Sequence, residues 1–149
     1  MEIVTHPGPL LEEVRAMFEE YARSLGFSLC FQGFDQELLA LPGIYAPPRG
    51  RLLLEPGCGC VGIHELEPRC AEMKRLFVRP AARGTGAGRR LAVAAIDAAR
   101  SLGYQRLRLD TIASTMGPAV SLYRSLGFDE IAPYRENPIA GALYLEKLL

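Results

Sequence analysis

The chain carries no net charge: 17 basic residues offset 17 acidic ones over 149 positions. It therefore lacks the basic excess by which a nucleic-acid partner is recognised. No stretch approaches the roughly 20 apolar residues of a membrane span, so no membrane partner is expected. The start, Met1-Glu-Ile-Val-Thr5, has no basic segment leading into an apolar run, and a secretory leader is not expected. Cysteine is sparse: Cys30, Cys58, Cys60 and Cys70 stand without a framework spacing. Cys58-Gly-Cys60 is tighter than a metal-binding C-x-x-C knuckle, and the chain has only two histidines, so no metal is expected. Reduced thiols and a cytoplasmic location follow as expectations. What remains is an ordinary globular composition, 49% hydrophobic and 23% charged, in a length that fits one domain, residues 1–149, with a single sizeable core.

Against this plain background one run stands out, Val78-Arg-Pro-x-x-Arg83-Gly-Thr-Gly86-Ala-Gly88-Arg-Arg90. It begins as an apolar strand, breaks at Pro80, turns through three alternating glycines and enters an alanine-rich amphipathic helix, Leu91 to Leu102. Glycine lets a ligand approach the backbone closely and permits positive φ. The helix start supplies unpaired N–H groups and the positive end of the dipole, which together seat an anion, most often a phosphate. Lys74, Arg75, Arg79, Arg83, Arg89 and Arg90 crowd the same stretch, and the first acid after Glu72 is Asp97. That local excess points to a multiply charged phosphate ligand. Two common glycine loops fail. Counted from Gly84, both the sixth position of a dinucleotide fingerprint and the second glycine of a P-loop fall on Arg89.

The pattern V-x-P-x-x-R-G-x-G-x-G after a strand resembles the acyl-CoA pyrophosphate loop of the GNAT N-acetyltransferase superfamily. Further on, Leu122-Tyr123-Arg-Ser-Leu-Gly127-Phe128 is similar to that superfamily's C-terminal motif L-Y-x-x-x-G-F. The resemblance covers Glu72 to Phe128 well and Ala142 to Leu149 plausibly; the first seventy residues match only in their order of elements. One departure is Met116, which stands where many members keep an asparagine that contacts the pantetheine arm.

The order of elements agrees. Glu2 to Thr5 reads as a strand. Leu10, Leu11, Val14, Met17, Phe18, Tyr21, Ala22 and Leu25 form one helical stripe closed by Gly26. Phe27 to Phe34 reads as an aromatic connector, and Asp35 as the cap of a short helix, Gln36 to Ala40. Arg51 to Leu54, Gly59 to Leu66 and Cys70 to Val78 read as strands. After the glycine loop, the third helix buries Leu91, Ala94, Ala95, Ala98 and Leu102. A strand, Gln105 to Thr111, a helix from Pro118 to Gly127 and two strands, Phe128 to Tyr134 and Ala142 to Leu149, complete the chain. The fold class is α/β (α+β). The resemblance implies a mixed, mostly antiparallel sheet of about seven strands flanked by four helices and splayed between the fourth and fifth strands.

What the resemblance implies for chemistry is acetyl transfer from acetyl-CoA to a primary amine, with the leading acceptor a small molecule. A protein lysine or N-terminal acceptor, or a non-catalytic acyl-CoA sensor, stays open, as does a homodimer. Leu76, Phe77 and Val78 would give main-chain contacts to the pantetheine and thioester, and Arg83, Gly84, Thr85, Gly86, Ala87, Gly88 and Arg89 would cradle the pyrophosphate. Tyr123 would be the general acid for the leaving thiolate, since a phenol is protonated at neutral pH. Glu72 matches the position of a general base, and a carboxylate beside an apolar site would have a raised pKa; a solvated strand-end glutamate paired with Lys74 or Arg69 is the alternative. His64 is a further candidate base, but it shows no evident orienting partner and reads as structural. Phe31, Phe34 and Tyr45 fall where the superfamily builds its acceptor pocket, with a core role the alternative. Tyr134 and Asn137 sit in the punctuated loop Pro133-Tyr-Arg-Glu-Asn-Pro138, which could cover the acceptor from the other side.

Overall fold

The structure is a computed structural model that describes residues 1–25, 33–112 and 117–149. In chain order its elements are β1 (Glu2–Ile3), α1 (Pro9–Ser24), α2 (Phe34–Ala40), β2 (Arg51–Glu55), β3 (Gly59–Glu67), β4 (Cys70–Val78), α3 (Ala87–Ser101), β5 (Arg106–Ile112), α4 (Gly117–Ser125), β6 (Asp129–Ile131) and β7 (Ala142–Leu148). The strands form one seven-stranded sheet in the order β1-β2-β3-β4-β5-β7-β6. Every neighbouring pair is antiparallel except β4 and β5.

Alternation along the strands gives the sheet two apolar faces. On one, Leu53, Val61, Ile63, Ala71, Met73, Leu107 and Leu109 pack with Leu91, Ala95, Ala98 and Ala99 of α3 and with Tyr123 of α4. On the other face, Leu52, Leu54, Cys60 and Phe77 meet Leu11, Val14, Met17 and Phe18, the helical stripe of α1. Tyr45 and Phe34 belong to this second core.

Several boundaries differ from the sequence expectation, each for a local reason. α3 begins at Ala87 rather than Leu91, because its first turn is built from Gly88, Arg89 and Arg90, which carry no apolar signal. α2 begins at Phe34, capped by the left-handed Gly33 (φ 67°) with no side-chain bond from Asp35. β6 stops at Ile131 instead of Tyr134; Pro133, just beyond, has no N–H to offer a ladder. Gly26 and most of the aromatic connector lie outside the described residues. Cys58, Cys60 and Cys70 are free thiols, and Cys30 lies outside the described residues.

Two features of β4 prepare the site. Its parallel ladder with β5 runs only from Cys70–Arg106 to Glu72–Arg108, although β4 continues to Val78 and β5 to Ile112. On its other edge, β4 pairs with β3 through Gly62↔Lys74 and Cys60↔Phe77, so Arg75 and Leu76 together oppose Val61. This is a β-bulge. Arg75 takes the left-handed conformation (φ 62°), which a non-glycine residue adopts at a cost of about 1 kcal/mol. The bulge swings the end of β4 away from β5 and opens the sheet beyond Glu72.

Candidate active site

The opening between β4 and β5 is the mouth of a cleft of about 780 Å³. Its walls are β4 from Met73 to Val78, β5 from Leu109 to Ile112, the turn Ala82–Gly84 and Gly86–Gly88, and Ala119, Leu122 and Tyr123 of α4. Tyr21 and Ser24 of α1, Leu25 just past its end, and Asn137 close the other side. The cleft therefore passes through the plane of the sheet and joins its two faces.

The glycine turn forms one end. Gly84 (φ 79°) and Gly86 (φ 84°) are left-handed, a conformation strained for any side chain. Gly86 caps α3 without a side-chain bond, and the first helical bond runs from the Arg90 N–H to the Gly86 carbonyl. The N–H groups of the turn before Arg90 thus have no helical acceptor. Of the six cations counted in this stretch, three are already neutralised. Arg75 makes a two-pronged pair with Glu37 at 2.9 and 3.0 Å, Arg79 with Glu20 at 3.1 and 2.8 Å, and Arg90 with Glu55 at 2.7 and 2.9 Å. Arg83 donates to the Val78 carbonyl, 3.3 Å, and Arg89 to the Ser125 hydroxyl, 3.4 Å. Among the described residues, these two face no acid at the loop. Of the predicted cradle, Arg83, Gly84, Gly86, Ala87 and Gly88 line the cleft; the side chains of Thr85 and Arg89 lie outside its wall.

Tyr123 sits deep in this cleft, 6% exposed, with its ring edge-on to Phe128 at 5.8 Å. Burial first, then the charges of Tyr21 and Asp110, push its phenol well above the usual tyrosine value. The phenol is thus held in its protonated form. Leu76, Phe77 and Val78 line the splayed edge, with Leu76 and Val78 turned to the α3 side and Phe77 to the α1 side.

The surroundings of Glu72 depart from the sequence expectation of a raised pKa. The residue is completely buried and does not line the cleft. Its Oε1 accepts from His64 Nε2 at 2.8 Å; its Oε2 accepts from the Tyr134 hydroxyl at 2.7 Å and is ion-paired to Arg135. Burial alone would raise its pKa. The His64 hydrogen bond, the charges of Lys74 and Arg135 and the Tyr134 bond outweigh that and hold it down at about 2. A carboxylate so stabilised in its charged form is a poor base. His64, which showed no partner in the sequence, is fixed between Glu72 and the Glu65 carbonyl, 2.9 Å from its Nδ1.

The aromatic candidates separate. Tyr45 is wholly buried and its hydroxyl donates to Glu37 at 2.8 Å; Phe34 lies under the Arg75 guanidinium at 5.2 Å. Neither lines the cleft: both are large apolar side chains whose burial completes the α1–sheet core. Phe31 and Met116 lie outside the described residues. Tyr134 is also outside the cleft wall, packed against Tyr144 at 5.1 Å with Arg108 and Arg135 over its ring. Asn137 does line it, and its Nδ2 donates to Asp110 at 3.3 Å. Sequence reasoning missed Asp110. Alternation in Arg106-Leu-Arg-Leu-Asp110 placed it opposite Leu107 and Leu109, but only the parallel register with β4 brings that face to the opening. Among the described residues no group of three or more metal-ligating side chains occurs, and no helix is long and apolar enough to cross a membrane.

Comparison with known proteins agrees with this architecture. The sequence profile of the acetyltransferase (GNAT) family matches residues 14–128. An uncharacterized N-acetyltransferase of Schizosaccharomyces pombe is 40% identical over 141 residues, covering 91% of this chain and 86% of its own. An IAA acetyltransferase of Azospirillum brasilense is 34% identical over 152 residues, covering 98% and 97%. In fold, the crystal structure of an acetyltransferase from Streptococcus agalactiae superposes with a TM-score of 0.78 at 20% identity, over 99% of this chain and 98% of that one. With the profile spanning most of its length, the sheet split between β4 and β5 and the glycine-turned helix start, the chain belongs to the GNAT family of acetyltransferases.

Proposed function

We propose that residues 1–149 work as one domain that moves an acetyl group from acetyl-CoA directly to the primary amine of a small molecule, both substrates being bound together. The observation that carries this reading is the cleft through the sheet, with the glycine turn and Tyr123 on one side and a polar wall of Lys74, Asp110 and Asn137 on the other. A thioester entering from the first side can be met by an amine entering from the second, with no covalent enzyme intermediate. Backbone groups of β4 beyond Glu72, freed from the β5 ladder, are available to an extended pantetheine arm as they would be to a further strand. The turn from Arg83 to Arg89 offers N–H groups for the pyrophosphate, with the Arg83 guanidinium at the cleft wall. The free thiols fit a cytoplasmic protein.

The decisive experiment is incubation with acetyl-CoA and a panel of amines, read by release of free coenzyme thiol. Acetylation of at least one small amine is expected. Release only with peptide acceptors would move the acceptor to a protein, and release with none would leave a binding module.

The cradle has its own test. Gly86→Val puts a β-branched side chain at φ 84°, where its Cβ also lies 3.3 Å from an Arg90 Nη atom, and it fills the approach to the loop backbone. Acetyl-CoA affinity measured by calorimetry should fall by at least about 100-fold, roughly 2.7 kcal/mol. Wild-type affinity would remove the pyrophosphate from this loop.

A further inference from the structure

With Glu72 locked in its buried network, the acceptor amine needs another group to take its proton. An alkylamine is an ammonium ion at neutral pH and has no lone pair for attack. Among the described residues that line the cleft, Asp110 is the one carboxylate. It lies two positions past Arg108, the last β5 residue paired with β4, so it stands at the edge where the sheet opens. The other acids on this face are held by fixed cations: Glu37 by Arg75, Glu72 by Arg135, and Glu146 by Arg108 at 2.8 Å. Asp110 accepts from neutral Asn137 at 3.3 Å, which orients the carboxylate and uses one of its roughly four lone-pair sites.

We propose that Asp110 seats the acceptor's ammonium and takes its first proton; this rests on the acetyltransferase reading above. R–NH3⁺ gives one proton to an Asp110 carboxylate oxygen, which frees the nitrogen lone pair. That pair forms the C–N bond at the thioester carbonyl carbon, and the C–S bond breaks with its electrons leaving on sulfur. The Tyr123 hydroxyl protonates the sulfur, and a second proton from the attacking nitrogen restores the phenol. Asp110 then returns its proton to solvent. Ammonium and thioester have become amide, thiol and one released proton. The Asp110 charge acts on Tyr123 and, before the ammonium proton is taken up, favours the protonated phenol.

The test compares Asp110→Asn with wild type on two small amines of similar size at pH 7: ethylamine, an ammonium ion there, and trifluoroethylamine, mostly neutral. For ethylamine kcat/KM should fall by about 100-fold. For trifluoroethylamine the fall should stay under about tenfold, with acetyl-CoA affinity unchanged, because that amine has already lost its proton. Asp110→Ala should be partly restored on ethylamine by added formate, a carboxylate small enough to occupy the vacated site. Equal losses on both amines, or no loss on ethylamine, would overturn the assignment while leaving the acetyltransferase reading intact. If wild-type protein acetylates no amine at all, that reading fails first and this one with it.

Discussion

Replacing Tyr123 by phenylalanine should lower kcat by about 10²–10⁴-fold, the usual worth of a positioned general acid, while acetyl-CoA binds as before. The substitution keeps the ring and its edge-on contact with Phe128 and removes one oxygen and its proton. The packing term is therefore nearly conserved, and the measurement isolates the hydroxyl. Burial first, with the Asp110 charge, holds the phenol protonated throughout the neutral range, and no loss of activity should appear there from its ionisation. Two results would change the role. A rise in the acetyl-CoA dissociation constant with kcat preserved would make the hydroxyl a binding contact. Unchanged turnover would leave thiolate protonation to water and return Tyr123 to the α4 core. The experiment uses the best acceptor from the amine screen and separates binding from turnover by calorimetry of the same variant.

Much of this site could be read in the sequence because its signals are local. The glycine turn, the stop at Pro80, the helix after it and Tyr123 four residues before Gly127 all lie within short windows. A backbone that must take positive φ announces itself by glycine, and Gly84 and Gly86 do so here. What could not be read is pairing across the chain. The six clustered cations looked like one electropositive patch. Three of them are spent on acids 35 to 59 residues away: Glu55 for Arg90, Glu37 for Arg75 and Glu20 for Arg79. Periodicity reports the face a residue occupies, never its partner on that face. Phe34 and Tyr45 illustrate the same limit, since an aromatic beside a site and an aromatic beneath it have the same local pattern.

The bulge explains why so few residues suffice. Arg75 sits in a conformation that favours glycine, yet it is an arginine, buried and bound to Glu37 by two hydrogen bonds. Burial by itself would lower the arginine's pKa, and the Glu37 bond and charge reverse that, so the pair stays ionised. The same glutamate accepts from Tyr45, whose ring packs edge-on against Phe18 at 6.0 Å. The apolar core on the α1 side thus anchors the ion pair, and the ion pair anchors the bulged residue of β4, three positions past the end of its ladder with β5. Phe34 and Tyr45 pack in that core, around the Arg75–Glu37 pair, and do not line the cleft.

Glu72→Gln should destabilise the fold by about 3 kcal/mol at pH 7, and the difference from wild type should vanish in acid. The carboxyl is held at about 2 against an ordinary value of 4.5, a gap worth about 1.36 kcal/mol per unit. Because the folded value is the depressed one, the stabilisation is present in full above pH 4.5. It is lost progressively as pH falls toward 2, where folded protein too takes up the proton. Glutamine has nearly the same shape and can still accept from Tyr134, but it cannot match the charge of Arg135. Thermal unfolding at pH 7 should therefore separate the variant from wild type, with a drop in Tm of roughly 6–12 °C for a chain of this size. Near pH 2 the two should unfold together. Catalysis gives the contrasting readout: with acetyl transfer assayed well below the variant's Tm, kcat should change by less than about tenfold, because Glu72 supports Tyr134 and Arg135 without touching the cleft. A kcat loss of general-base size with stability unchanged would return the base to Glu72 and take it from Asp110.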